Sequence, residues 1–495
     1  MILTVDVGTS ATKVALWGRD GLVALAGRSI PTTHPEPGWS EQDPRAWWAS
    51  VVAACDEVNA QAPTAFGSVD AVGCTGARQT FALVDATGDP LGSGIVWSDR
   101  RASAEATALV RRLGERDRGG PGMPLDAASV SAKIAWLATH DRDRLRASTW
   151  ILTPRDLVVW RLTGAVATDP TMASSSGLYD VDGHLMEAVA GEAAGRLARV
   201  VPSDQVTGKL TEPAASQLGL TAGIPVVIGA GDRPCEVLGT GATDSSPMVS
   251  WGTTANVSVP VGDRPVEVPG GVVVSRGANG GWLLEGGLSS AGSFVAWLGR
   301  LTGRSGDELA TLAGQSPPGA RGLVATPWLE GARAPWWEQE AGAAFVGLQS
   351  AHDVPDLARA VFESVAWEVE RCLEAICSRQ PGGPGVTRLA LTGAGASTPV
   401  WREVLTAVTG LPARCRRSGQ AASMGAAMLA AAAVGVEMSL DVVDPVDVDI
   451  EPNPSMTLDY SARRQQVDRV ASSLIDLARA STVAPSVETG DPTCG

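Results

Sequence analysis

The chain has 495 residues, and this length predicts two domains rather than a single core. Its 44% apolar and 19% charged residues are ordinary for a globular protein and exclude extensive disorder. The net charge of −15 argues against nucleic acid as a main partner, because a phosphate backbone selects a basic surface.

Targeting and metal signals are missing from the sequence. The seven cysteines form no CxxC pair, which is typical of reduced thiols, and the four histidines have no zinc-ligand spacing. The N-terminus lacks a basic segment, and Asp6 interrupts its apolar run, so we expect no signal peptide. The longest apolar run, 426–436, is too short to span a bilayer. These features predict a cytoplasmic protein without membrane contact.

The first predicted element is a strand, a tight polar turn and a second strand in "VDVGTSATKVAL", residues 5–16. A glycine-containing turn rich in hydroxyls can aim several N–H groups at one phosphate, and a carboxylate beside it suits a divalent cation. The stretch therefore predicts an ATP site, although a capped hairpin has the same pattern. A Walker A sequence is absent. The candidates are Asp6, Thr9, Ser10, Thr12 and Lys13.

Strands and helices then alternate along the chain, which predicts an α/β fold. Helices are expected where apolar residues recur at helical spacing, and strands where apolar runs end in glycine-rich bends. In chain order these segments are a helix at 43–60 opened by Asp43 and Pro44, two strands within 70–91, a strand at 223–232, a helix at 353–376 and a strand at 387–397.

An internal repeat divides the chain. The segment "SWGTTA", 250–255, stands between two apolar runs as residues 8–10 do, roughly 240 residues later. We therefore predict two similarly built domains, 1–243 and 244–480, followed by a flexible tail at 481–495. Two such turns, one per domain, could face each other across a cleft.

Nine motifs carry a family resemblance by their order and spacing. They are "DVGTSATK", "WSEQDPRAWW", "IVWSDRRA", "RLTGAVATDPTMAS", "GAGDRPCEVLGTGA", "SWGTTA", "EGARAPWW", "LTGAGAST" and "SMGAAMLA". Together they resemble the FGGY carbohydrate kinases, most closely the xylulokinase-like branch. The resemblance implies two actin-like (ribonuclease H-like) domains with a cleft between them. It also implies phosphorylation of a sugar or polyol hydroxyl by ATP in the presence of Mg²⁺, and homodimers are common among such kinases.

The resemblance assigns roles to individual residues. Asp232 fills the aspartate of the G-x-G-D segment and is the expected catalytic base, and with Asp6 it is expected beside the metal. The expected nucleotide contacts are Gly252, Thr253, Thr254, Gly292, Gly393, Ala394 and Gly395. The expected substrate contacts are Arg78, Gln79, Trp97, Asp99, Arg101 and Asp232.

Several departures from the family pattern leave the substrate open. Arg78 and Gln79 replace a Met-His pair of the xylulokinase-like members, whereas "WSEQDP" favours a pentulose such as xylulose. A glycerol- or erythritol-type polyol and a sugar acid remain alternatives. Side chains of the family are also lost at Ala332, Ala334 and Gln420. Two other classes, a nucleotide-switched ATPase and a non-catalytic sugar sensor, share the same superfamily.

Overall fold

A computed structural model of the chain describes residues 1–113, 124–263, 265, 268, 270–377 and 385–482. Of the predicted tail, residues 483–495 lie outside the described residues, and the last helix runs to Thr482. Among the helices of these ranges, none combines the length and the apolar character needed to cross a bilayer. Below, residues 1–243 are called the first half and residues from 244 onward the second half.

The strands of the described residues are numbered in chain order. They are β1 (Ile2–Val7), β2 (Ala11–Gly18), β3 (Gly21–Ser29), β4 (Glu41–Gln42), β5 (Ala71–Gly76), β6 (Ala82–Val84), β7 (Gly94–Ile95), β8 (Trp150–Leu152), β9 (Ala167–Thr168), β10 (Arg199–Val200), β11 (Val206–Lys209), β12 (Pro225–Gly231), β13 (Met248–Trp251), β14 (Ala255–Val261), β15 (Val273–Arg276), β16 (Trp282–Leu288), β17 (Val324–Thr326), β18 (Ala344–Val346), β19 (Leu389–Thr392), β20 (Ala413–Arg416) and β21 (Val446–Ile450).

The α-helices are numbered in the same way. They are α1 (Pro44–Gln61), α2 (Pro63–Phe66), α3 (Ser103–Leu113), α4 (Val130–His140), α5 (Arg142–Ala147), α6 (Pro154–Thr163), α7 (Pro170–Ser174), α8 (Glu187–Ala190), α9 (Glu212–Leu218), α10 (Asp232–Thr240), α11 (Gly292–Thr302), α12 (Gly306–Ala313), α13 (Val354–Cys377), α14 (Pro399–Thr409), α15 (Ala421–Ala433), α16 (Leu440–Val443) and α17 (Pro454–Thr482).

Each half contains one large sheet, and the two sheets have the same plan. The first has the order β11-β12-β5-β1-β2-β3 and the second β15-β16-β14-β13-β19-β20-β21. Each sheet contains one Gly-Thr turn, at residues 8–10 in the first half and 252–254 in the second. The strand before the turn pairs antiparallel with the strand after it, β1 with β2 and β13 with β14. The same strand pairs parallel with a later strand, β1 with β5 and β13 with β19. The prediction of two similarly built α/β units is confirmed. The exact division near residue 243 stays a prediction; that residue lies in the link between α10 and β13.

The local signals of the sequence explain the predicted elements. Asp43 caps α1 by accepting a hydrogen bond from the N–H of Arg45 at 2.9 Å, and Pro44 occupies the first helical turn. The helix buries Trp47 and Val51 against the first sheet. The segment 353–376 forms α13, whose apolar stripe is buried in the core of the second half.

Helix α15 belongs to the second half by sequence but packs on the first sheet. The hydroxyl of Ser423 lies 2.6 Å from the hydroxyl of Thr4 and accepts a hydrogen bond from Nε1 of Trp17 at 2.8 Å. Small residues let α15 approach α10 closely: a Cβ on Gly425 would lie 2.0 Å from the carbonyl oxygen of Cys235. The alanine-rich sequence of α15 thus joins the two halves directly behind α10, the helix that begins with Asp232.

Candidate active site

The first Gly-Thr turn connects β1 to β2 as predicted. The N–H of Gly8 donates to the carbonyl of Ala11 at 3.1 Å and closes the turn, while Asp6 on β1 stands opposite Lys13 on β2. The parallel pairing of β1 with β5 places Asp6 beside Thr75. One strand thus supplies a carboxylate and the turn that follows it supplies N–H groups, all at the same edge of the sheet.

The second turn, 252–254, is braced by the start of α11. The N–H of Gly252 donates to the carbonyl of Thr254 at 2.8 Å. The carbonyl of Thr253 accepts from the N–H groups of Ala291 and Ser293 at 3.0 and 3.1 Å. These bonds occupy the carbonyls of the turn on its α11 side. The structure therefore holds the turn rigidly from one side.

Asp232 is the first residue of α10 and follows β12 directly. Its side chain is 37% exposed, and its Oδ1 accepts a hydrogen bond from the N–H of Arg233 at 2.8 Å. The preceding Gly231 donates its N–H to the hydroxyl of Thr171 at 2.8 Å. That hydroxyl donates in turn to the buried carboxylate of Asp169. A fixed backbone thus presents the Asp232 carboxylate at the end of the first sheet.

Both turns and Asp232 meet at a cavity of about 410 Å³ between the two halves. Sequence-predicted residues from each half therefore come together. The lining residues are Thr9, Ser10, Ala77, Arg78, Gln79, Trp97, Ser175, Asp232, Arg233 and Glu236 from the first half, and Ser250, Trp251, Gly252, Thr253, Thr254, Ala255, Asn256, Val273, Ser275, Glu285, Gly287, Leu288, Arg333, Trp337 and Gly393 from the second.

The carboxylate of Asp6 lies in an environment suited to a cation. Burial and the nearby charge of Asp232 raise the pKa of Asp6 to about 7, although Lys13 acts in the opposite direction. Its Oδ1 is buried without a hydrogen-bond partner. The described residues contain no cluster of three or more His, Cys, Asp or Glu arranged to hold a metal. Mg²⁺ needs no such cage where one or two carboxylates act together with phosphate oxygens and water, and Asp6 fits that use.

The predicted substrate residues Arg78 and Trp97 reach the cavity. Both terminal nitrogens of Arg78 donate to the carboxylate of Glu285, at 2.9 and 2.8 Å, and its Nε lies 3.7 Å from Oδ1 of Asp232. The indole N–H of Trp97 donates to the hydroxyl of Thr9 at 3.0 Å. Trp97 therefore connects the substrate side of the cavity to the first turn.

The structure places the predicted substrate residues Asp99 and Arg101 outside the lining of the cavity, and their contact with a substrate stays a prediction. The side chain of Asp99 is fully buried; it accepts from the N–H of Ser40 at 2.6 Å and pairs with Arg101 at 2.8 Å. The Arg101 guanidinium also pairs with Glu41 and stacks 3.6 Å from the centre of the Trp39 ring. These contacts tie both side chains to the surrounding loop.

Thr12, predicted as a nucleotide contact, does not line the cavity either, and that contact stays a prediction. Its side chain is fully buried, and its hydroxyl lies 2.6 Å from that of Ser50 on α1, on the side of β2 that faces the helix. Period-two alternation explains the difference, because Thr12 and the next residue point to opposite faces of the strand. Lys13 does extend toward the second half, where its Nζ donates to Gln420 at 3.3 Å.

The other predicted nucleotide residues divide into two groups. Gly393 lines the cavity with a positive φ of 85°, and a Cβ there would lie 2.2 Å from the carbonyl oxygen of Trp251. Gly292 donates its N–H to Gly252 at 3.1 Å and so supports the turn without lining the cavity. Ala394 and Gly395 follow the cavity wall rather than forming it, and their contact with a nucleotide stays a prediction.

Sequence reasoning missed Lys133, which is fully buried on α4 below the substrate side of the cavity. Its Nζ donates to the backbone carbonyls of Gln79 at 3.1 Å and Val96 at 2.8 Å. Gln79 has a positive φ of 61°, so this bond fixes an uncommon backbone conformation. A lone lysine inside the apolar run "AKIAWL" was the available signal.

Replacement of Lys133 by methionine should change how stability depends on pH. Burial lowers the pKa of Lys133 from 10.5 to about 7, against the opposing charges of Asp99 and Asp126. Between these values unfolding takes up a proton, so raising the pH disfavours unfolding. We expect wild type to gain about 2 kcal/mol over Lys133→Met between pH 7 and 9 in urea titrations. Exposed Lys209→Met is the control, and equal slopes for wild type and Lys133→Met would contradict the assignment.

Comparison with known proteins agrees with this geometry. Residues 1–239 match the model of the FGGY family of carbohydrate kinases, N-terminal domain, and residues 248–434 match its C-terminal domain. A xylulose kinase of Escherichia coli is 29% identical over 492 residues, covering 96% of this chain and 100% of the relative. A glycerol kinase of Gloeobacter violaceus is 32% identical over 459 residues, covering 88% of each chain.

Solved structures show the same fold. The gluconate kinase of Lactobacillus acidophilus superposes with a TM-score of 0.87 at 21% identity, over 97% of this chain and 99% of that one. The two sheets, one per half, are those of the two-domain actin-like fold expected from the motifs. With both domain models matched in order and relatives aligned along most of its length, the chain belongs to the FGGY family of carbohydrate kinases and is a sugar or polyol kinase.

Proposed function

We propose that this protein transfers the γ-phosphoryl group of ATP to a hydroxyl of a neutral sugar, a pentulose such as xylulose, with Asp232 as the general base. The observation that carries the proposal is the position of Asp232, partly exposed in a cavity that the two Gly-Thr turns enter from opposite halves. Phosphoryl transfer depends on such positioning of the acceptor hydroxyl and of the phosphates, with little covalent chemistry by the protein.

Each group of residues in the site has a role that follows from its chemistry. The N–H groups and hydroxyls at Thr9, Ser10 and Thr253 bind phosphate oxygens. Asp6, which has an unpartnered buried oxygen, would hold Mg²⁺ with Asp232 nearby, and the cation would neutralise charge on the phosphates. Asp232 orients the acceptor hydroxyl and takes its proton, while Gly393 lets the nucleotide approach the second sheet closely.

The charges around the cavity favour a neutral substrate over a sugar acid. Among the described residues that line it, each arginine already has a carboxylate partner, so none is left to bind the carboxylate of a substrate. The pairs are Arg78 with Glu285 at 2.8 Å, Arg233 with Glu236 at 2.9 Å, and Arg333 with Asp126 at 3.7 Å. A sugar acid would have to break one of these pairs, whereas hydroxyls can bond to the same groups without doing so.

Different observations favour a pentulose and a glycerol-type polyol as the substrate. The xylulose kinase relative aligns over 96% of this chain, compared with 88% for the glycerol kinase, and the "WSEQDP" segment agrees with the former. The glycerol kinase is the more identical of the two at 32%, so a glycerol- or erythritol-type polyol is the second candidate.

A coupled ADP-release assay with Mg-ATP tests the proposal. The panel contains D-xylulose, L-xylulose, D-ribulose, L-ribulose, glycerol, erythritol, D-arabinitol and gluconate. We expect one neutral acceptor to respond most strongly, with gluconate at least about tenfold lower in kcat/KM because its carboxylate lacks a free cation. Gluconate as the best acceptor would overturn the neutral-substrate argument. ATP hydrolysis that no sugar changes would indicate a nucleotide-switched ATPase, and sugar binding without turnover would indicate a sensor.

A further inference from the structure

Glu285 is a carboxylate of the second half that reaches the substrate side of the cavity. It lies on β16 with a side chain only 3% exposed, and it accepts both terminal nitrogens of Arg78. The hydroxyl of Ser275 on β15 also donates to Glu285. A bidentate, charge-assisted pair of this kind fixes the orientation of a guanidinium. Arg78 of the first half is therefore held by a strand of the second half.

Arg78 also lies next to the proposed base. Its stem runs over Gly231, where a Cβ would stand 2.9 Å from Cγ of Arg78, and its Nε is 3.7 Å from Oδ1 of Asp232. The guanidinium is thus between two carboxylates. Glu285 takes the two terminal nitrogens, and only the Nε edge is turned toward Asp232.

We propose that Glu285 is a positioning residue that holds the guanidinium of Arg78 away from Asp232 and so leaves the carboxylate of Asp232 free for the substrate hydroxyl. Without Glu285, the terminal nitrogens of Arg78 would have Asp232 as their nearest carboxylate. A bidentate Arg78–Asp232 pair would then occupy both carboxylate oxygens and leave neither free to receive the hydroxyl proton. This inference rests on the proposed function of Asp232.

The charge state of Glu285 supports this role. Burial opposes ionisation of Glu285, but the charge and hydrogen bonds of Arg78 outweigh it, so the pKa of Glu285 is lowered. Glu285 is therefore ionised at neutral pH and competes with Asp232 for Arg78. A neutral glutamine at position 285 would lose that competition while keeping nearly the same volume.

The test combines Glu285→Gln, Arg78→Met and the double variant in the ADP-release assay, with the best acceptor of the panel. We expect Glu285→Gln to lower kcat about tenfold or more at saturating sugar. Arg78→Met should mainly raise KM for the sugar. The double variant should recover kcat to about the level of Arg78→Met, because Asp232 has no arginine left to pair with. A merely structural role would give additive losses instead.

Control variants separate the proposed role of Glu285 from the proposed role of Asp232 on which it rests. Glu363→Gln also removes a buried carboxylate, one paired with Arg359 at 2.9 Å on α13 outside the cavity, and should leave kcat near wild type. Wild-type kcat in Glu285→Gln, or no recovery in the double variant, would overturn the inference. If Glu285→Gln does not fold, the kcat of the double variant is compared with that of Arg78→Met. Equal kcat values support the inference, and a much lower kcat in the double variant overturns it. Full activity of Asp232→Asn would instead remove the proposed base.

Discussion

Replacement of Asp232 by asparagine should lower turnover by about two to four decades, the usual contribution of a positioned general base. Asparagine keeps the shape of the side chain, and its oxygen can still accept the hydrogen bond from the N–H of Arg233. The helix start and the cavity should therefore be preserved. What is lost is the ability to take the proton of the acceptor hydroxyl.

The measurement is kcat with the best acceptor, together with the affinity for Mg-ATP from calorimetry. We expect the affinity to change little, because Asp6 and the turns at Ser10 and Thr253, which would hold Mg²⁺ and the phosphates, keep their side chains in this variant. Asp20→Asn, on an exposed turn between β2 and β3, is the matched control. A turnover close to that of wild type would show that another group accepts the proton.

The fold could be predicted because its signals are local. A buried strand, a Gly-Thr turn and a second strand are visible in residues 5–16 and again around Gly252, and each pair of strands lies inside one of the two large sheets. The position of Asp232 also follows from short-range pattern, since β12 ends in glycine and the helix begins at the next residue. Such features need only a window of about a dozen residues.

The side-chain environment of the site could not be predicted in the same way. Arg78 and Glu285 are 207 residues apart, and Glu285 is a single acid in the strand "WLLEGGL", so no local pattern joins them. The spacing of Asp99 and Arg101 is compatible with a pocket or with a self-contained ion pair. The burial of Asp99 and the packing of Arg101 on Trp39 favour the second. Long-range pairing thus determines which polar residues of a motif remain available to a ligand.

A buried charge network centred on Arg155 lies below the site and could not be predicted from the sequence. This residue of α6 is fully buried; it donates to Asp156 at 2.6 Å and Asp169 at 2.7 Å, and to the carbonyl of Gly229 at 3.0 Å. Burial raises the pKa of Asp156 even with Arg155 beside it. Through Gly229 in β12, the network supports the strand end that carries Asp232.

Arg155→Met should therefore destabilise the protein by about 3–5 kcal/mol, because two buried carboxylates lose their cation and not merely a favourable contact. Urea unfolding at pH 7 measures the loss, and turnover should fall with it as the backbone before Asp232 loosens. Arg161→Met, on the same helix but partly exposed and 3.9 Å from Asp89, should cost less than about 1 kcal/mol. Adding Asp169→Asn to Arg155→Met should restore part of the stability, since one uncompensated charge disappears. If the double variant is instead less stable than Arg155→Met, hydrogen bonding by Asp169, rather than its charge, dominates the network.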